Sequence, residues 1–121
     1  MKTPKIHESE YHFCEILWEN EPVNSTELVR LCKEKLGWSK ATTYTVIHRL
    51  SERGAVKNEN AVVTSLVSRE EVQTFEIDEL IKKRFRGSLP AFINAFAKHE
   101  KLCEADISEL EKMISGYRKG K

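Results

Sequence analysis

Apolar residues recur at three- and four-residue intervals along most of the chain, and the one clear exception lies between residues 55 and 67. From Ser9 to Asn20, Tyr11, Cys14, Leu17 and Trp18 keep helical spacing, with Ser9 as the expected cap. A turn is expected at Asn20-Glu21-Pro22. Val23-Asn24-Ser25-Thr26-Glu27 then reads as an Asn cap followed by Glu at capping-box distance, opening a helix through Leu28, Leu31, Cys32 and Leu36 that Gly37 closes. Ser39 caps a third helix reaching Arg53, and Gly54 supplies its left-handed stop.

After Gly54 the period shortens. Ala55-Val56-Lys57, the polar stretch Asn58-Glu59-Asn60 and the β-branched run from Ala61 to Val67 predict a hairpin turning at residues 58–60. Helical spacing returns with a capping box at Ser68-Arg69-Glu70-Glu71 and a stripe of Val72, Phe75, Leu80, Ile81 and Phe85. Arg86-Gly87-Ser88 breaks it. Ser88 caps a further helix with Leu89, Phe92, Ile93, Phe96 and Ala97 on one side and Pro90 in its first turn, where proline is tolerated. A last helix carries Ile107, Leu110, Met113, Ile114 and Tyr117.

These elements predict a mainly α fold with a small β-hairpin wing: a winged helix-turn-helix DNA-binding domain over residues 1–68 and a helical dimerisation domain over residues 69–121. Three amphipathic helices in about fifty residues carry more apolar surface than they bury alone. Leu80, Phe85, Leu89, Phe92, Ile93, Phe96, Ile107, Leu110 and Ile114 are therefore the candidate interface with a second copy. The alternative is that these helices fold back on the N-terminal domain.

The third helix has two sectors with different chemistry. At about 100° per residue, Thr43, Val46, Ile47 and Leu50 form an apolar sector, while Thr42, Thr45 and Arg49 fall within about 60° of one another beside it. Threonine offers a donor, an acceptor and a methyl, and arginine reaches guanine or straddles a phosphate. The overall charge is only +1, yet residues 38–57 carry Lys40, Arg49, Arg53 and Lys57 against Glu52, a local +3. Few phosphate contacts per subunit are expected, so two-fold symmetry would have to double them.

Other classes are narrowed by what the sequence lacks. There is no Gly-rich phosphate loop, no His-Glu-x-x-His and no Gly-x-Ser-x-Gly, so no enzymatic activity is expected. Cys14, Cys32 and Cys103 form no Cys-x-x-Cys pair, and His7, His12 and His99 are scattered, so neither a metal site nor a cofactor is expected and the thiols read as reduced. No apolar run approaches the roughly 18 residues that span a membrane, and the first ten residues lack a secretory apolar segment, so a cytoplasmic protein without a membrane partner is expected. A protein-binding winged helix is the competing reading. The grouping of Arg49 with Thr42 and Thr45, where a protein-docking face would place an apolar residue, stands against it.

Ile6-x-x-Ser9-Glu10-Tyr11, Ile16-Leu17-Trp18-Glu19, Trp38-Ser39, Thr42, Thr45, Arg49-Leu50, Gly54 and Leu66-Val67-Ser68 occur in this order. They are followed by Gly87-Ser88-Leu89, Phe96-Ala97, Glu100-x-Leu102 and Ile107-x-Glu109-Leu110. The whole string resembles the BlaI/MecI/CopY repressors, the penicillinase-repressor family. The resemblance implies a dimeric bacterial repressor whose winged helix binds a near-palindromic operator and blocks the promoter until induced. By matching position it nominates Lys40, Thr42, Tyr44, Thr45 and Arg49 for operator contact, to which the wing adds Lys57. Thr42, Thr45 and Arg49 match in identity, whereas the family usually has Lys at Ala41 and often a basic residue at Tyr44. Its induction routes fit less well: Ala95-Phe96 stands where the antibiotic-responsive branch has a cleavable Asn-Phe bond. Only Cys103 lies in the tail, where the copper-responsive branch is cysteine-rich.

Overall fold

The protein is described by a computed structural model that covers residues 3–99 and 102–120. Its elements run α1 (Glu8–Asn20), β1 (Val23–Asn24), α2 (Ser25–Leu36), α3 (Lys40–Glu52), β2 (Val56–Glu59), β3 (Val62–Ser65), α4 (Arg69–Phe85), α5 (Leu89–His99) and α6 (Glu104–Lys119). The chain separates into two compact units, Met1–Ile77 and Asp78–Lys121, which meet within α4. The first nine residues of that helix thus belong with the winged helix.

In the first unit the apolar positions of three helices and a small sheet close over one core. Phe13, Cys14, Ile16 and Leu17 of α1, Leu28, Leu31 and Cys32 of α2, Val46, Ile47 and Leu50 of α3, and Val56, Val63 and Val72 are all buried. Phe13 and Ile16 join a face expected to consist of Tyr11, Cys14, Leu17 and Trp18. Tyr11 and Trp18 instead lie half-buried at its edge, with their rings edge to face at 5.6 Å. Trp38, in the link between α2 and α3, stacks parallel on Phe13 at 6.1 Å and holds that link against α1. Trp18 donates its indole N–H to the Val67 carbonyl at 2.9 Å, and the Arg69 guanidinium lies 5.5 Å from its ring centre. α4 is thereby moored to α1 at its start.

The caps follow the sequence in most places and depart from it in two. Asn24 accepts from the Thr26 amide, Ser39 from Thr42 and Ser88 from Ala91, while Ser68 and Glu71 complete a reciprocal capping box. Gly37 adopts φ +71° and Gly54 φ +80°, the left-handed conformations that end α2 and follow α3. However, α1 starts at Glu8 with His7 as its cap, two residues before the expected Ser9. Glu27 also leaves its expected capping-box role. Its carboxylate binds Arg30 at 2.6 and 2.8 Å, and the competing charge on the same helix wins it.

The hairpin turns later than residues 58–60. β2 extends through Glu59, paired with Val62, and the turn is Asn60-Ala61 with φ of 53° and 65°. Both central residues have positive φ, as the twist of a two-residue hairpin requires. A third strand was not legible in the sequence: Val23 and Asn24 pair with Val63 and Val62, giving the order β1-β3-β2. The Ser25 amide also donates to the Ala61 carbonyl at 2.7 Å, tying the start of α2 to the hairpin turn.

An ion pair joins the start of α1 to the end of α3 across this unit. Glu10 is buried, accepts from the His7 amide at 2.9 Å and faces Arg53, whose Nη1 donates both to Glu10 and to the Lys5 carbonyl at 2.8 Å. The Arg53 guanidinium, ahead of the His7 hydrogen bond, holds the Glu10 carboxyl below its ordinary value of 4.5 against the opposing effect of burial. A depressed carboxyl contributes stability above its ordinary value and loses it as the pH falls through the folded one. Glu10→Gln is expected to lower stability at pH 7 by about 1–3 kcal/mol. In urea melts its deficit against the native chain should shrink as the pH falls below 4.5; an undiminished deficit in acid would assign the cost to packing.

Candidate nucleic-acid interface

The geometry of α3 separates its two sectors completely. Thr43, Val46, Ile47 and Leu50 are buried, as their spacing predicts, while Lys40, Ala41, Thr42, Thr45, His48 and Arg49 are exposed. Thr43 fits the core because its hydroxyl donates to the Ser39 carbonyl at 3.2 Å. Beside it, burial pushes the Cys32 thiol up to about 11 while the Thr43 hydroxyl opposes that shift in part, and Cys14 is raised to about 12 chiefly by burial. Both buried thiols are therefore protonated and unreactive near neutral pH.

The predicted site residues divide by the work their side chains already do. Thr42, Thr45 and Arg49 share the outward face, with Lys40 one turn towards the start of the helix. Among the described residues neither Lys40 nor Arg49 has a carboxylate within 4 Å. Lys57 is exposed on β2 but lies 3.6 Å from Glu59 on the same side of the strand. Arg53, part of the local +3, is paired with Glu10. His48 lies 3.5 Å from Glu52. The free positive charge of the face is thus smaller than the sequence count, and it is concentrated on Lys40 and Arg49.

Tyr44 takes a different place from the neighbours that flank it in sequence. It is half-buried against the core, and its hydroxyl donates to Ser25 Oγ at 3.2 Å. Ser25 is itself buried, and its amide is the one that binds Ala61 in the hairpin turn. The helix α3, the start of α2 and the wing turn are therefore linked through two hydrogen bonds. Sequence reasoning missed Ser25 because its partner stands 19 residues away and a serine at a helix start reads only as part of a cap. A surface groove of about 470 Å³, lined by Trp18, Glu19, Glu21, Leu66 and Arg69 among others, includes no residue of α3.

A helix presenting hydroxyls and an unpaired guanidinium beside a three-stranded wing has counterparts among known proteins. The family model described as penicillinase repressor matches residues 6–116. The chain belongs to the penicillinase repressor family. The penicillinase repressor of Bacillus licheniformis is 20% identical over 124 residues, covering 99% of this chain and 97% of that protein. An uncharacterized 16.5 kDa protein from the ptsI 3' region of Latilactobacillus sakei is 26% identical, covering 93% and 80%. Among solved structures, the DNA-binding domain of the repressor BlaI superposes with TM-score 0.50 at 25% identity, covering 59% of this chain and 93% of that one. Bacillus licheniformis BlaI, solved as a monomer bound to the blaP half-operator, gives TM-score 0.51 at 24% identity over 58% and 90%. The winged-helix fold is common to all three.

The Tyr44 hydroxyl should count towards stability. Tyr44→Phe is expected to cost about 1 kcal/mol in chemical denaturation, because Ser25 is buried and loses a hydrogen-bond partner. An unchanged midpoint would show that Ser25 finds another partner.

Proposed function

We propose that this member of the penicillinase repressor family is a transcriptional repressor that binds a near-palindromic DNA operator as a homodimer and blocks promoter access until induced. The observation that carries the proposal is the outward face of α3, where Thr42, Thr45 and Arg49 stand together on a helix whose opposite side is locked in the core. A rigid helix with donors and a free guanidinium has the form that enters a major groove, with Lys40 and Lys57 within reach of phosphates on either side. The similarity to a repressor solved on its half-operator supports the same reading.

The partner is a second copy. No residue of α5 or α6 is buried, and Leu89, Ile93, Phe96, Ile107, Leu110 and Ile114 are all exposed, as is Leu80 of α4. Such stripes at helical spacing are what a two-fold interface between identical helical units covers. Phe85 and Phe92 differ from the rest of the expected set: each is half-buried, their rings edge to face at 5.5 Å, so they also hold α4 to α5 within the unit. Residues 78–121 then act as the dimerisation unit and set the spacing of the two reading helices.

Arg49→Ala is expected to weaken binding to an operator obtained by selection at least about tenfold in gel shift, with an unchanged circular dichroism spectrum because Arg49 supports no fold contact. Undiminished affinity would remove DNA reading from this face. Affinity should fall with salt by about 0.9 logarithmic units per phosphate contact. Phe96→Asp should yield monomers in sedimentation, and it tests the interface more cleanly than Phe92, which packs on Phe85.

A further inference from the structure

Hydroxyls on a helix usually give their proton to the carbonyl one turn back, and two of those on α3 do so: Thr43 donates to Ser39 O at 3.2 Å and Ser51 to Ile47 O at 2.8 Å. Thr42 makes no such bond. Its oxygen lies 3.0 Å from Ser39 Oγ, and Ser39 Oγ accepts the Thr42 amide at 3.1 Å. Because the Ser39 oxygen is already receiving a proton from the amide, its own proton has Thr42 Oγ1 as acceptor. The result is a directed chain running from the Thr42 amide to Ser39 Oγ and on to Thr42 Oγ1. Each donor is polarised by the bond it accepts, and the last proton, that of Thr42, has no acceptor among the described residues and belongs to an exposed side chain. Thr45 shares the face but has no hydrogen-bond partner among the described residues, so its hydroxyl turns either way.

We propose that Ser39 is a specificity-setting residue that acts through Thr42, fixing the Thr42 hydroxyl as a donor so that it selects a base edge bearing an acceptor. That class comprises guanine O6 and N7, adenine N7 and thymine O4; a contact that meets only an exocyclic amine, adenine N6 or cytosine N4, is discriminated against. Ser39 therefore has two roles that can be separated, as helix cap and as proton donor. The proposal rests on α3 being the DNA-reading helix, and Ser39 is a positioning residue that touches no base itself.

The experiment uses the full chain and an operator obtained by selection, with every base pair of one half-site varied in turn. Thr42→Val, which keeps the shape and removes the hydroxyl, identifies the pair that Thr42 reads. Ser39→Gly removes the hydroxyl while costing the helix start only a few tenths of a kcal/mol, and Ser39→Thr restores donor and cap together. The expected result is that the native chain loses affinity when the acceptor atom alone is removed from the identified pair, as 7-deaza substitution does for a purine N7, and keeps it when only the exocyclic amine is removed. Ser39→Gly should lose about 3- to 10-fold of that preference there and nowhere else, and Ser39→Thr should recover it. A uniform loss across all pairs would reduce Ser39 to a cap and overturn the proposal. So would an unchanged preference, a native affinity that falls when the exocyclic amine rather than the acceptor is removed, or a Thr42→Val variant that alters no pair. Failure of the underlying reading looks different: the native chain would then select no site, or Arg49→Ala would bind as well as native.

Discussion

The structure depends first on the seating of one face of α3. Thr43, Val46, Ile47 and Leu50 enter the core built by α1, α2 and the sheet, and Leu50 and Thr43 are wholly enclosed. Close packing leaves such a helix no freedom to roll, since turning it would expose these residues and bury Arg49. The orientation of Thr42, Thr45 and Arg49 is a by-product of that burial. What the outward face reads can therefore change by substitution at exposed positions without disturbing the scaffold.

A second constraint concerns charge. Four cations near the reading helix suggest a strongly basic element in the sequence, but two of them have carboxylate partners in space. Arg53 closes the end of α3 onto the start of α1 through Glu10, and Lys57 shares β2 with Glu59. Arg53 contributes architecture where its position suggested recognition. The remaining unpaired charge on Lys40 and Arg49 is small for one subunit, in keeping with a chain whose overall charge is +1.

The wing and the reading helix are also less independent than a modular description implies. Val23 and Asn24 add a strand to the hairpin, Ser25 binds the hairpin turn through its amide, and the same serine holds the Tyr44 hydroxyl. Tyr44 thus fixes α3 against α2 and the wing. Residues 6–116 nevertheless match the family model although identity to the Bacillus licheniformis protein is only 20%. Apolar period, caps and a few exposed positions are enough to specify this fold, and many sequences satisfy them.

Local rules were legible because they act over three or four residues. Helix spacing, the Ser39 and Ser88 caps, the Ser68–Glu71 box, the left-handed Gly37 and Gly54, and the division of α3 into Thr43/Val46/Ile47/Leu50 and Thr42/Thr45/Arg49 could all be read along the chain. The packing decided what depends on partners distant in sequence. Glu10 and Arg53 meet across 43 residues, Tyr44 and Ser25 across 19, and β1 exists only because β3 offers it an edge. The hairpin turn moved to Asn60-Ala61 for a related reason: pairing Glu59 with Val62 leaves only two residues for the reversal, and Ala61 accepts a positive φ while its carbonyl binds Ser25. A sequence records which side chains are able to pair. Only the closed core, by bringing some within 3 Å and separating others, determines which pairs form and which groups are left facing outward.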